Sequence, residues 1–238
     1  MGGLLRGLLL SGLLLLSPIA LHGCAAERTT QALAPGCAHA PTPCLKGDAS
    51  VELTTSRGRV RIEVDGDAAP LTAGNFVDLV RRGVYNRTVF HRVVREPVPF
   101  VVQGGDPASA NPATPATQFG TGSYVDPATG NSRLIPLEIK RQGQSEPTYG
   151  EPLTSPGVTR ELVLAHQRGA VAMARSADPN SASAQFYVAL QALPELDGRY
   201  AVFGRVTRGM EVVDAIRQGD RILRAEVVQG GTLVMGTP

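Results

Sequence analysis

The sequence predicts a mainly β protein, a closed antiparallel barrel of about eight strands accompanied by two α-helices. Among its 238 residues are 27 glycines and 18 prolines, and only 18% of the residues are charged. That composition favours short strands joined by many turns over a helical bundle. The predicted strands do not alternate with helices as they do in a parallel sheet, and a closed antiparallel barrel leaves no strand edge exposed.

The periodicity of apolar residues places the individual elements. After Gly58, valine and isoleucine alternate with charged residues, which is typical of a half-buried strand. A first helix begins at Pro70 and ends at Gly83, and a second covers residues 209–217 and ends at Gly219. The predicted strands are residues 51–55, 59–64, 88–94, 100–103, 170–174, 185–190, 201–206 and 223–228.

The folded domain is predicted over residues 50–232, followed by a short C-terminal tail at 233–238. Inside the domain, residues 107–156 are rich in proline, alanine, threonine and glycine, and they are long for a connection in a compact domain. Residues 134–139 are the most strand-like part of this segment. We therefore expect an insertion made mostly of surface loops.

Residues 1–23 have the pattern of a signal peptide of the lipoprotein type. Arg6 precedes an apolar run of about 15 residues, which is shorter than the ~20 that a membrane-spanning helix needs. The sequence LHGC at 21–24 then resembles a bacterial lipobox, which predicts lipidation of Cys24. The alternative is cleavage after Ala26, which would give a soluble periplasmic protein. Both readings predict export.

Residues 24–49 are predicted to be a flexible linker, because they contain three prolines and few large apolar residues. Cys37 and Cys44 can form a local disulfide in an exported protein. A metal site that used these cysteines and His39 would lack a fourth ligand nearby, so we expect no metal.

Three segments carry most of the functional signal. They read FHRVVREPVPFVVQGGD at 90–106, GAVAMARSADPNSASAQFYV at 169–188 and LDGRYAVFGRVTRGMEVV at 196–213. In this order they resemble the cyclophilins, a family of peptidyl-prolyl cis-trans isomerases, and the resemblance covers residues 51–230. REPVPFVVQGGDP is most similar to cyanobacterial and plastid members. The resemblance implies a barrel with one helix capping each end, and an enzyme that speeds rotation about X–Pro bonds.

Rotation about an X–Pro bond has a barrier of ~18–20 kcal/mol, and lowering it requires no nucleophile, metal or cofactor. The enzyme must hold the proline ring in an apolar pocket and stabilise the lone pair that the prolyl nitrogen gains in the twisted amide. The resemblance assigns this donor role to Arg92 and makes Gln103 the second catalytic residue. The alternative for Arg92 is a surface ion pair worth ~0–1 kcal/mol. His91 is expected to be a neutral, hydrogen-bonded structural residue.

The resemblance also assigns a set of substrate-binding residues. Phe100, Val101, Tyr187 and Leu196 are expected to line the apolar pocket. The alternative is that these four residues belong to the barrel core. Tyr187 also carries a hydroxyl that needs a hydrogen-bond partner. The assigned residues are Phe100, Val101, Ala174, Arg175, Gln185, Tyr187, Leu196 and Tyr200.

Two departures from the family pattern affect the site. The spacing from Arg92 to Phe100 is three residues longer than usual, so we expect a bulge at residues 96–99. Glu195 stands where many members carry a tryptophan, and the chain contains no tryptophan. That tryptophan contacts cyclosporin, so we expect weak cyclosporin binding.

These features predict a monomeric isomerase that acts on proline-containing polypeptides, on the periplasmic or thylakoid-lumenal side of a membrane to which lipid anchors it. A non-catalytic binding module is the alternative. A serine hydrolase is disfavoured because no GxSxG elbow is present. With 23 basic and 21 acidic residues, the chain lacks the basic excess of a nucleic-acid binder.

Overall fold

A computed structural model describes residues 1–2 and 36–235 of the chain. The body of the predicted signal peptide, Cys24 and the first part of the predicted linker lie outside the described residues. Among the helices in the described ranges, none is long and apolar enough to cross a membrane.

Antiparallel strands make up most of the regular secondary structure. They are β1 (Cys44–Thr55), β2 (Gly58–Asp65), β3 (Arg92–Val93), β4 (Val101–Gly104), β5 (Glu138–Ile139), β6 (Thr148–Tyr149), β7 (Ala170–Met173), β8 (Phe186–Ala189), β9 (Val202–Arg208) and β10 (Ile222–Val234). Eight of them form one sheet in the order β10-β1-β2-β9-β7-β8-β4-β3, and β5 pairs with β6 separately. The prediction of a mainly β fold with eight antiparallel strands is confirmed.

Closure of this sheet into a barrel is not confirmed. Within the described residues, no ladder pairs the two end strands, β3 and β10. The two ends meet through an isolated bridge of Val89 with Arg221 and the backbone hydrogen bonds around it. Beside it, the Phe90 N–H donates to the Asp220 carbonyl at 2.8 Å. The closed barrel therefore stays a prediction.

Both predicted helices are present, as α1 (Pro70–Arg81) and α3 (Met210–Ala215), and a single turn, α2 (Pro156–Thr159), was not predicted. Pro70 stands at the start of α1, where its missing N–H costs no helical hydrogen bond. From α1, Phe76 packs against Tyr85, Phe186 and Phe203 with ring centroids 5.0–5.4 Å apart. This aromatic cluster lies at the centre of the core on the inner face of the sheet.

The boundaries of the folded domain are wider than predicted. β1 begins at Cys44 and pairs with the end of β10, so the last residues of the predicted linker and the first of the predicted tail belong to the sheet. Leu45 is buried there, and Cys44 forms a disulfide with Cys37. The correction has a physical reason: CLKGD has no apolar alternation of its own, and its first three residues pair with the end of β10, which is far away in the sequence.

The insertion at 107–156 is exposed over much of its length, and its buried residues at 135–139 are tied to helix α1. Ile135, Leu137 and Ile139 are buried, as expected for its most strand-like part. Between them, the Glu138 carboxylate accepts the N–H groups of Leu71 at 3.0 Å and Thr72 at 2.7 Å. These are donors in the first turn of α1 that no helical carbonyl satisfies. Burial raises the pKa of Glu138, although these hydrogen bonds oppose the shift.

Candidate active site

A pocket of about 280 Å³ opens on the outer face of the sheet, over β3, β4 and β8. All the residues predicted to catalyse or to bind substrate line it, except Gln185, which lies one hydrogen bond behind Gln103. The lining residues are Arg92, Phe100, Val101, Gln103, Ala174, Arg175, Tyr187, Leu196 and Tyr200.

Strand register brings these residues together. Arg92 on β3 pairs with Gln103 on β4, Gln103 pairs with Tyr187 on β8, and Tyr187 pairs with Ala172 on β7. Directly paired residues point to the same face of a sheet, and their neighbours along the strand point to the other face. The strand residues Arg92, Val101, Gln103 and Tyr187 therefore share one face, whereas Phe186 belongs to the core cluster on the opposite face.

The extra residues between Arg92 and Phe100 form a loop outside the pocket. Residues 96–99 are exposed. Two backbone hydrogen bonds close the base of this loop. The Val94 N–H donates to the Val101 carbonyl at 2.9 Å, and the Val94 carbonyl accepts from the Phe100 N–H at 3.0 Å. The guanidinium carbon of Arg92 still lies 5.7 Å from the centroid of the Phe100 ring. The longer connection thus leaves the cation beside the apolar wall.

A directed series of hydrogen bonds leads to the guanidinium. Arg92 Nη1 donates to Gln103 Oε1 at 3.4 Å, and Gln103 Nε2 donates to Gln185 Oε1 at 3.3 Å. Gln185 Nε2 donates to the carbonyls of Gly120 at 3.0 Å and Gly122 at 2.8 Å. Because both protons of that amide are used by carbonyls, its oxygen must face Gln103. The Gln103 oxygen is thereby left facing Arg92.

Asp106 holds the loop at the origin of this series. Its buried carboxylate accepts N–H groups from Gly120 at 2.6 Å, Gly122 at 3.2 Å and Ala108 at 2.9 Å. A Cβ at Gly122 would collide with the carboxylate. The sequence analysis gave no role to these residues, although Asp106 ends the QGGD signature and the glycines lie in FGTG a short distance on.

The rim of the pocket is held by a second arginine. The Arg175 guanidinium lies 4.6 Å from the Tyr200 ring centroid and donates to the carbonyls of Arg199 at 2.7 Å and Ser176 at 2.8 Å. Arg92, in contrast, has one side-chain hydrogen bond among the described residues, at 3.4 Å. Within the described residues, Arg92 therefore keeps most of its donors free for a ligand, whereas Arg175 uses most of its own.

The Tyr187 hydroxyl has a partner that the sequence analysis missed. It lies 2.9 Å from Nε2 of His166, and Nδ1 of that histidine lies 2.8 Å from Asp197 Oδ1. Burial lowers the pKa of His166, although the Asp197 carboxylate opposes the shift, and burial raises the pKa of Tyr187. Both side chains are therefore neutral at pH 7.

His91 differs in one respect from its expected role. Burial lowers its pKa, so the ring is neutral as expected. Neither ring nitrogen has a hydrogen-bond partner in the described part of the chain, so the expected hydrogen bonds are absent there. The ring lies so close to Gly120 that a Cβ at that glycine would come within 2.9 Å of it. His91 supports the loop by packing.

The chain is similar to known proteins in family, sequence and fold. A family model described as "Cyclophilin type peptidyl-prolyl cis-trans isomerase/CLD" matches residues 50–234. A Synechocystis protein named for peptidyl-prolyl cis-trans isomerase activity in the thylakoid lumen is 40% identical over 198 residues, which are 79% of this chain and 49% of that protein. A chloroplastic peptidyl-prolyl cis-trans isomerase of Arabidopsis thaliana is 38% identical over 206 residues, 79% and 44% of the two chains. The chain spans about half the length of these curated relatives.

Among solved structures, a Cryptosporidium parvum cyclophilin-type isomerase, crystallised in the presence of the dipeptide Ala-Pro, is 23% identical. The match has a TM-score of 0.55 and covers 76% of this chain and 99% of that one. At this identity the likeness supports the fold alone.

Proposed function

Because the chain belongs to the family of cyclophilin-type peptidyl-prolyl cis-trans isomerases, we propose that it accelerates rotation about X–Pro bonds in polypeptides. The observation that carries the proposal is an exposed guanidinium with free donors, Arg92, beside a pocket with apolar walls. An apolar pocket can hold the proline ring, and a fixed cation at its edge can reach the prolyl nitrogen.

Arg92 is proposed to act on the twisted amide. In the planar amide the nitrogen lone pair is delocalised into the carbonyl, and twisting localises that pair on nitrogen. A guanidinium N–H aimed at the nitrogen stabilises the twisted state more than the planar one, which is the condition for catalysis. A preorganised donor of this kind is worth about 2.7–4 kcal/mol.

The apolar walls are proposed to hold the ring while the rest of the peptide turns. Phe100, Val101, Tyr187 and Leu196 supply these walls. The polar side of the pocket, at Gln103 and the strand end at Ala174, is proposed to bind the peptide backbone. Arg175 and Tyr200 are proposed to contact the flanking residues of the substrate at the rim.

The proposed substrates are exported proteins whose folding is limited by X–Pro rotation. The signal-peptide pattern of residues 1–23 and the compartments named for the two curated relatives support export. The lipobox-like sequence LHGC at 21–24 is the ground for proposing a lipid anchor on Cys24, and the exported protein is proposed to be a monomer. The Cys37–Cys44 disulfide agrees with an oxidising compartment.

We also propose that the sheet closes into a barrel. The contacts of residues 87–90 with 219–222 support this, since the Ile222 N–H donates to Thr88 at 2.9 Å and the Arg87 N–H donates back to Ile222 at 2.6 Å. Slow amide exchange at Phe90 and Ile222, comparable with that of β4 and β8, is expected for a closed barrel, whereas fast exchange would indicate an open edge.

The enzymatic proposal is tested by two-dimensional NMR exchange on an Ala-Pro peptide. Arg92→Ala should lower kcat/KM roughly 10²–10³-fold and leave the melting temperature nearly unchanged, because Arg92 is exposed. Arg92→Lys should recover little, since an ammonium lacks the planar fork of donors. Arg205→Ala is the matched control, because it removes the same charge from an exposed side chain of β9.

Equal exchange rates for the parent and Arg92→Ala would contradict the role of Arg92. A parent that binds the peptide without exchanging it would instead support a binding module.

A further inference from the structure

A buried histidine lies behind the proline pocket, outside the set of residues that line it. His166 is 1% exposed. Its imidazole stacks at 13° to the Tyr187 ring with centroids 6.0 Å apart. It contacts Tyr187 through Nε2 at 2.9 Å and Asp197 through Nδ1 at 2.8 Å. A buried polar side chain with both nitrogens paired occupies a defined orientation.

The direction of each hydrogen bond follows from the partners. An ionised carboxylate only accepts, so Nδ1 of the neutral imidazole carries the proton and donates to Asp197. Nε2 is then an acceptor, and the Tyr187 hydroxyl must donate to it. The backbone N–H of His166 also donates to the same Asp197 oxygen at 2.8 Å. Asp197 therefore holds both the backbone and the ring of His166.

This arrangement links two walls of the pocket. Tyr187 forms one wall from β8, and Leu196, next to Asp197 in the chain, forms another from the turn at 194–197. Because the tyrosine hydroxyl is directed to His166, the pocket meets the ring rather than an unpaired hydroxyl. On its other side the Tyr187 ring meets the edge of Tyr200 at 6.0 Å.

We propose that His166 is a positioning residue for the proline-binding pocket, fixing the Tyr187 ring through its hydroxyl and the Leu196 turn through Asp197. The inference rests on the proposed function, because it assigns the pocket to a proline ring. His166 touches no substrate. It affects binding because it fixes the distance between two pocket walls, Tyr187 and Leu196, that must both contact the proline ring.

The test is a double-mutant cycle on peptide binding and exchange. In His166→Asn, the side-chain amide can replace Nδ1 as donor to Asp197, but nothing replaces the Nε2 acceptor, and a buried hydroxyl loses its partner. We expect the Kd and KM for an Ala-Pro peptide to rise roughly tenfold, with kcat within about twofold of the parent. In the Tyr187→Phe background the same substitution should change Kd less than about twofold, because no hydroxyl is left unpaired.

His166→Gln is the matched control, since its longer side chain can place an amide oxygen near the position of Nε2. It should keep most of the affinity that His166→Asn loses. A measurement on the parent protein alone tests the same arrangement: ¹⁵N spectra of the His166 imidazole should show a protonated Nδ1 and an unprotonated Nε2. This measurement tests the proposal even if the His166→Asn variant does not fold.

An equal effect of His166→Asn on Kd in both backgrounds would overturn the proposal, as would a fall in kcat at unchanged KM or the opposite tautomer. These outcomes are separate from failure of the proposed function. A parent that binds the peptide but shows no exchange would refute catalysis, while the cycle on Kd would still decide the role of His166.

Discussion

Substitutions at Asp106 test how the protein positions the guanidinium of Arg92. The carboxylate oxygens of Asp106 have separate duties: Oδ2 accepts from Gly120 and Gly122, and Oδ1 accepts from Ala108. The glycine carbonyls then fix Gln185, and through it the series that ends at Arg92. Substitutions at a buried residue with no contact to substrate should therefore change the rate of isomerisation.

The magnitude follows from counting partners. In Asp106→Asn, the remaining oxygen can face the two glycines, and the amide NH2 group then faces the Ala108 N–H, so that this N–H loses its acceptor and meets a second donor. That costs about 1–3 kcal/mol of unfolding free energy. The series to Arg92 persists, so kcat/KM should stay within about threefold of the parent. In Asp106→Ala all three acceptor contacts are lost, and kcat/KM should fall about tenfold or more because Gln185 loses its support.

Urea unfolding measures the first effect, and exchange NMR on an Ala-Pro peptide, run well below the melting temperature of each variant, measures the second. The backbone amide spectrum shows whether each variant is folded under the assay conditions. A folded Asp106→Ala variant with the kcat/KM of the parent would refute the reasoning, since Arg92 would then need no support from the loop.

Three further outcomes are expected. Full-length protein should fractionate with membranes and Cys24→Ala should be released, because acyl chains supply ~0.8 kcal/mol per buried CH₂; an unmodified mature protein that begins at Glu27, seen by mass spectrometry, would contradict this. Cyclosporin should bind weakly, because exposed Glu195 must lose water when an apolar cyclic peptide binds, and titration calorimetry should show tighter binding to Glu195→Trp. Burial lowers the pKa of His91 below its ordinary value near 6.5. The neutral, buried ring therefore contributes fully to the free energy of unfolding above that pH, and this contribution is lost as the pH falls below it. Between about pH 7.5 and 5, the Tm of the parent should therefore fall more than that of His91→Asn, and equal falls would show that His91 does not resist protonation.

Residues that meet in the pocket were predictable because each lies in a short motif of strand or turn. The register of β3, β4 and β8 then follows from alternation, which places Arg92, Gln103 and Tyr187 on one face. The start of β1 at Cys44 was not predictable in this way. Its pairing partner is the end of β10, far away in the sequence, and its burial comes from helix α1, where Leu71 packs against Cys44 and Gly74 lies against the backbone of Cys44 and Leu45.

The residues behind the pocket were missed for a related reason. Gly120 lies 65 residues before Gln185, and His166 lies 21 residues before Tyr187 and 31 before Asp197. No local periodicity links such partners. One signal was available: a tyrosine hydroxyl in a buried position demands a partner, and a histidine within an apolar segment can supply it.

The two hydrogen-bonded series have a common logic that bears on the proposed reaction. Each begins at a carboxylate that accepts backbone N–H hydrogen bonds, three at Asp106 on one side of the pocket and one at Asp197 on the other. One series ends at the donor, Arg92, and the other at an apolar wall, Tyr187. Rotation about an X–Pro bond needs the proline ring and the donor to stay fixed while the preceding carbonyl turns. Because the two fixed parts have independent supports, loosening the wall should weaken binding and loosening the donor should slow the reaction. His166→Asn should therefore act mainly on KM and Asp106→Ala mainly on kcat, and the double variant should show the product of the two effects. If the kcat/KM of the double variant is no lower than that of the more impaired single variant, the two supports act as one unit.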